Sequence, residues 1–168
     1  MTFKAASINA DIAALLPRLR RFARSITFHR EDADDLVQTA VERALGRSDQ
    51  WEAGTRLDSW IFRIVKNAWI DEVRSRKRRD QVFAPEEAAE HMGDNFAEAH
   101  QQRMAMQKAM SMLSDDHRVV IALVLVDGMP YKEAADVLEI PMGTLTSRLA
   151  RAREALQGLL SDQARTVA

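Results

Sequence analysis

Arg63, Lys66, Asn67, Arg74 and Arg78 recur at helical spacing within residues 56–79, RLDSWIFRIVKNAWIDEVRSRKRR. At roughly 100° per residue they share one arc with Lys77, and Trp60 stands at its boundary. Cations so spaced can neutralise phosphates. An amide among them can pair with a base edge, and an aromatic ring can stack on one. A second cluster of the same kind lies near the C-terminus. Arg148, Arg151 and Arg153 follow Thr144 and Ser147 on one predicted helix, just after a short helix and a tight turn. That is the outline of a helix-turn-helix. The competing reading of each cluster is plain: a solvated basic face on an ordinary packed helix, its cations complementing a helix C-terminus.

The first cluster needs a helix with a core behind it. Leu57, Ile61, Ile64, Val65, Ala68, Trp69 and Val73 fall on the opposite arc, with Phe62 at its margin. Thr55 followed by Asp58 has a capping-box-like spacing and predicts the helix start. A continuous helix over 56–79 would be about 36 Å long at ~1.5 Å per residue. Ile70 and Glu72 break the pattern, one on each arc.

Charge is arranged in blocks. Residues 1–79 hold sixteen Lys/Arg against eleven Asp/Glu, residues 80–100 hold six acids and no Lys/Arg, and residues 101–168 hold eight of each. The blocks predict two modules around an acidic connector, although the whole 168-residue chain has a net charge of only −1. The chain has no cysteine, which removes disulfides and thiolate chemistry and fits a reducing compartment. The N-terminus lacks a secretory pattern, and no segment approaches the roughly 20 apolar residues of a membrane span, so a cytoplasmic protein without membrane insertion is expected. His29, His91, His100 and His117 lie in different segments, none paired at i, i+4, and no nucleophile signature is present. No enzyme activity, metal or cofactor is expected.

Helical periodicity runs through the chain and β-type alternation is nearly absent. Helices are predicted over 8–28 (kinked or restarted at Pro17), 32–47, 56–79, 98–113, 115–126, 131–138 and 143–160. Inward positions include Leu36, Val37, Ala40, Val41, Ala44 and Leu45 in the second, and Met106, Ala109, Met110 and Leu113 in the fourth. Gly46 to Gly54 forms a polar loop containing Trp51. Ser114 is placed to cap the fifth helix, and Asp127-Gly128 to end it.

Three motifs, DADDLVQTAVERAL at 32–45, LDSWIFRIVKNAWIDEVRSRKRR at 57–79 and DGMPYKEAADVLEIPMGTLTSRLARAREAL at 127–156, resemble the two modules of bacterial extracytoplasmic-function (ECF, group 4) RNA polymerase sigma factors of the sigma-70 family. The resemblance implies an all-α fold of two small helical domains, a region 2 bundle over 1–79 and a region 4 helix-turn-helix over 100–168, joined by a flexible acidic linker over 80–99. It implies a factor without catalysis of its own that binds core RNA polymerase and directs it to promoter DNA through −10 and −35 elements, with an anti-sigma factor as controlling partner. Asp35, Gln38 and Arg43 match the polymerase-binding stretch, where a carboxylate and an amide suit an Arg-rich partner helix. Trp60, Arg63, Lys66, Asn67, Arg74 and Arg78 take the −10 role, Asn67 at the position of polar base contact. The 48–56 loop corresponds to the segment that pockets an extruded base. Lys132, Thr144, Ser147, Arg148 and Arg151 take the −35 role. Trp51 and Trp60 each remain open between core anchor and DNA contact.

The sequence departs from the family pattern at three places. Glu139 stands where Gly is common, Pro130 replaces a capping Ser, and Thr146 replaces a frequent Lys. A sigma-like decoy that sequesters an anti-sigma factor without binding promoters is the competing function. Such a mimic would lose its basic DNA faces, whereas Arg63, Lys66, Arg74–Arg79, Arg148 and Arg151 are all present.

Overall fold

The computed structural model describes residues 2–80 and 97–167, and every regular element among them is helical. Three helices form the first module: α1 (Thr2–Thr27), α2 (Arg30–Gly46) and α3 (Leu57–Asp80), with one 3-10 turn at Ser48–Gln50. The second module holds α4 (Ala97–Met112), α5 (Asp115–Ile121), a π-helical turn (Ala122–Val126), α6 (Tyr131–Leu138) and α7 (Met142–Val167). Most of the acidic connector expected over 80–99 lies outside the described residues. Its last three positions belong to α4.

Each helix forms because its apolar positions recur at helical spacing and find a partner. Ile12, Leu19, Phe22 and Ile26 of α1 pack with Val37 and Ala40 of α2 and Ile61, Phe62 and Val65 of α3. The Phe22 and Phe62 rings meet edge to face at 5.3 Å. In the second module, Val120 and Leu123 meet Val137, Leu145, Leu149 and Ala152. The apolar core is continuous between the modules, because α1 packs on the π turn and α4 while α3 packs on α6.

Local stops follow backbone chemistry. Phe28 ends α1 in the left-handed region (φ 66°), its N–H donating to Arg24 O at 3.1 Å. Ser114 Oγ accepts from the His117 N–H at 3.3 Å and caps α5, as expected. Gly128 (φ 77°) ends the π turn, with the Met129 N–H donating to Leu123 O at 3.0 Å.

Several expectations need correcting. Pro17 does not start a new helix, since α1 runs unbroken from Thr2 to Thr27. It lies on the exposed side, where water can take the carbonyl that its missing N–H leaves free. Thr55 is not a cap: its hydroxyl donates backward to Glu52 O at 2.7 Å. The helix predicted over 115–126 changes to π form at Ala122. Leu45 and Met106, expected inward, are exposed, because no element covers those faces of α2 and α4. Glu72, the acid on the apolar arc, is half-buried there and paired with Arg76 at 2.6 Å, which accounts for its place in the pattern.

Candidate nucleic-acid and polymerase interface

α3 carries the central site because its buried arc fixes its rotation. Ile61, Phe62, Val65, Ala68 and Trp69 are buried, which turns Asn67, Arg74 and Arg78 outward, all exposed. Lys66 departs from the expected solvent face. Its side chain is only 7% exposed, lying under the α6–α7 turn with Nζ 3.6 Å from Glu139 Oε2. Burial lowers its pKa below the usual lysine value, and the Glu139 carboxylate opposes that shift. Arg63 is half-buried and donates from Nη2 to Asp136 O at 2.8 Å.

Beside the start of α3 lies a pocket of about 660 Å³. Trp51, Ser59, Trp60 and Arg63 line it from the first module, and Asp136 and Glu139 from the second. Trp51 Nε1, Ser59 Oγ and Arg63 Nε are buried with no hydrogen-bond partner. Buried polar atoms are normally paired, so three unpaired ones around a single pocket mark a place with unused hydrogen-bonding capacity. Trp51 and Trp60 are both half-buried and packed against the core, yet both also line this pocket. Each is therefore anchor and wall at once. Ser59 was missed by sequence reasoning, since a serine in the first turn of an amphipathic helix carries no periodic signal.

A charge network ties this end of α3 to α1 and the second module. Asp58 accepts from Arg56 Nη2 at 2.8 Å and from its neighbour's backbone, Ser59 N–H, at 2.9 Å. The Arg56 hydrogen bond holds the Asp58 carboxyl below its ordinary pKa, against partial burial. Arg18 contacts Asp58 at 3.4 Å and Asp127 at 2.8 Å.

On the other side of α3, Asp35 and Arg43 share a shallow cleft of about 300 Å³ with Thr39, Asp71 and Arg79. Arg43 lies 3.5 Å from Asp71. Gln38 is exposed on α2 and donates to Glu42 Oε1 at 3.1 Å. In the helix-turn-helix, Lys132 and Arg151 are exposed and form no ion pair among the described residues, whereas Arg148 is half-buried, 3.7 Å from Asp116. Ser147 Oγ donates to Thr144 O at 3.1 Å, which leaves its oxygen able to accept. Glu139 occupies the left-handed region (φ 57°, ψ 41°), which fits the glycine common at its position in the family pattern, and Pro130 enters α6 without a side-chain cap.

Two helical modules with a basic helix in one and a helix-turn-helix in the other define a class that sequence comparison identifies. Residues 12–79 match sigma-70 region 2, and residues 103–156 match sigma-70 region 4. The chain is 34% identical over 154 residues to the ECF RNA polymerase sigma factor EcfG of Rhodopseudomonas palustris (strain TIE-1), covering 92% of this chain and 85% of that one. Among solved structures, the sigma factor RpoE in complex with the anti-sigma factor NepR from Bartonella quintana is similar at a TM-score of 0.76 and 33% identity, over 92% of this chain and 97% of that one. The structure of CnrH in complex with the cytosolic domain of CnrY gives 0.72 and 25%, over 96% and 94%. The chain belongs to the ECF RNA polymerase sigma factors of the sigma-70 family.

Proposed function

We propose that this protein is a cytoplasmic, group 4 alternative initiation factor that binds core RNA polymerase, directs it to promoters through −10 and −35 elements, and answers to an anti-sigma factor. The module limits proposed are 1–79 and 100–168 around the acidic connector. No helix among the described residues is long and apolar enough to cross a membrane.

The reading rests chiefly on the pocket beside α3. A base extruded from the duplex costs a few kcal/mol of unstacking, and a pocket must repay it with hydrogen bonds and stacking. Trp51 Nε1, Ser59 Oγ and Arg63 Nε offer unused polar capacity there, with two indole rings in the wall. Asn67 then lies exposed along the same helix for a second base, and Arg74 and Arg78 for phosphates. Asp35, Gln38 and Arg43 on α2 serve core polymerase, Asp35 and Arg43 from the cleft that α2 forms with Asp71 and Arg79 of α3. Lys132, Thr144, Ser147, Arg148 and Arg151 serve the −35 groove, with Arg148 requiring release from Asp116. An anti-sigma partner is supported by the similar sigma factor RpoE, solved in complex with the anti-sigma factor NepR.

Asn67→Ala tests the assignment. Permanganate footprinting should show promoter opening reduced about tenfold, the size of one lost base-edge contact at ~1–3 kcal/mol, with core-polymerase affinity unchanged. An equal fall in core affinity would contradict the role given to Asn67.

A further inference from the structure

Ion pairs that cross between the modules, among the described residues, all run one way. Arg18 and Arg21 meet Asp127, Arg56 meets Glu133, Lys66 meets Glu139, and Lys77 meets Asp115. The cation always belongs to the first module and the acid to the second. Glu133, Asp136 and Glu139 stand at i, i+3 and i+6 along α6 and its end, so they share one face. That face covers Arg56, Arg63 and Lys66, with Asp136 contributing its backbone carbonyl. It also closes one side of the pocket that holds Trp51 and Ser59.

Glu139 is the unusual member of this row. Its backbone is left-handed, a conformation glycine adopts freely and a glutamate only against steric resistance. Strain of that kind persists where the surroundings impose it and often marks a function. The open space around this turn gives no packing reason for the side chain, which is 58% exposed. Its carboxylate does one visible thing: it faces the ammonium of Lys66, a group seldom buried without a partner.

We propose that Glu139 is an intramolecular lock, whose carboxylate on Lys66 holds the second module over Arg63, Lys66 and the base pocket at the start of α3 and keeps that end of the helix from DNA until a partner separates the modules. The inference rests on reading α3 as the −10 face. The acids of α6 occupy the cations that phosphates would otherwise claim. Removing the carboxylate leaves Lys66 buried with its charge uncompensated, so the closed arrangement loses more than one exposed contact. Being ionic and partly exposed, the lock weakens as salt rises.

The full-length chain carries the test. It has no cysteine, so Ala14→Cys on α1 and Gln157→Cys on α7, both exposed, accept a donor and an acceptor dye. Glu139→Gln removes the charge and keeps the backbone constraint, while Glu139→Gly removes both. In each, the closed-to-open ratio from single-molecule energy transfer should fall about two- to fivefold. Acylation of Lys66 by an N-hydroxysuccinimide ester, read by mass spectrometry, should accelerate by a similar factor, and affinity for a mixed-sequence single-stranded DNA oligonucleotide should rise in parallel. Unchanged energy transfer and unchanged acylation in both variants would overturn the lock. Opening without a gain in DNA affinity would uphold the lock and instead count against α3 as the DNA face. Lys66→Ala separates the two further: it should open the molecule while binding the oligonucleotide more weakly than Glu139→Gln does. Helix content measured by far-ultraviolet circular dichroism should be unchanged in the glycine variant, because glycine relaxes that backbone.

Discussion

Asp127→Asn probes the most buried ionic contact between the modules. The Asp127 side chain is 0% exposed and accepts from Arg18 Nε at 3.2 Å and Nη2 at 2.8 Å, with Arg21 at 3.7 Å. Asparagine keeps the shape, removes the charge and turns one acceptor into a donor that faces a guanidinium. Breaking a fully buried pair costs about 3–5 kcal/mol. Arg18 is 35% exposed and keeps Asp58 as a second partner, so solvent screening reduces the expected loss to about 2 kcal/mol. The assay uses an accident of composition. Trp51, Trp60 and Trp69 all lie in the first module, so tryptophan fluorescence follows that module while circular dichroism follows both. In urea the two signals should coincide for the unaltered chain, because the core is continuous, and separate for Asp127→Asn. A double-mutant cycle with Arg18→Met should return a coupling of about 1.5 kcal/mol or more. A coupling below about 0.5 kcal/mol, with coincident transitions in the variant, would refute the reasoning.

Two further outcomes follow from single groups. Arg118 donates to Met110 O, Ser111 O and Leu113 O at 2.8–3.1 Å, satisfying the end of α4, and its guanidinium lies 5.0 Å from the Phe28 ring and 5.8 Å from Trp69. Arg118→Ala should cost about 3 kcal/mol by urea unfolding, and Arg118→Lys should recover less than half of it because an ammonium lacks the planar fork. Asp58 has a folded pKa below its unfolded one, so its contribution is complete above the ordinary aspartate value of about 4 and disappears as pH falls through the depressed folded value. The urea midpoint of the unaltered chain should therefore exceed that of Asp58→Asn by a constant margin above about pH 5, shrinking between about pH 4 and 2.

How legible the fold was in the sequence depends on the range of the interaction that decides each feature. The buried arc of α3 was readable, because Ile61, Val65, Ala68 and Trp69 repeat at the helical period and any core will satisfy them. The Ser114 cap and the Gly128 stop were readable from local backbone chemistry, and the left-handed turn at Glu139 only through the glycine that the resemblance puts at its position. Lys66 was not, since its burial depends on where α6 settles, and nothing near residue 66 encodes that. Met106 and Leu45 failed for the complementary reason: periodicity names an apolar face but not whether a neighbour arrives to cover it. The candidate site divides similarly. Asn67, Arg74 and Arg78 follow from the helix wheel, whereas Ser59 becomes visible only once a loop, a helix start and a distant turn enclose one pocket.

The role assigned to the whole chain is tested most directly by run-off transcription with core RNA polymerase and the purified chain on fragments of the source genome. Transcripts that require the chain and begin downstream of a shared pair of elements are the expected result, and Asp35→Ala should reduce them through weaker core binding. The absence of any chain-dependent transcript, with the chain still bound to core polymerase, would contradict promoter recognition.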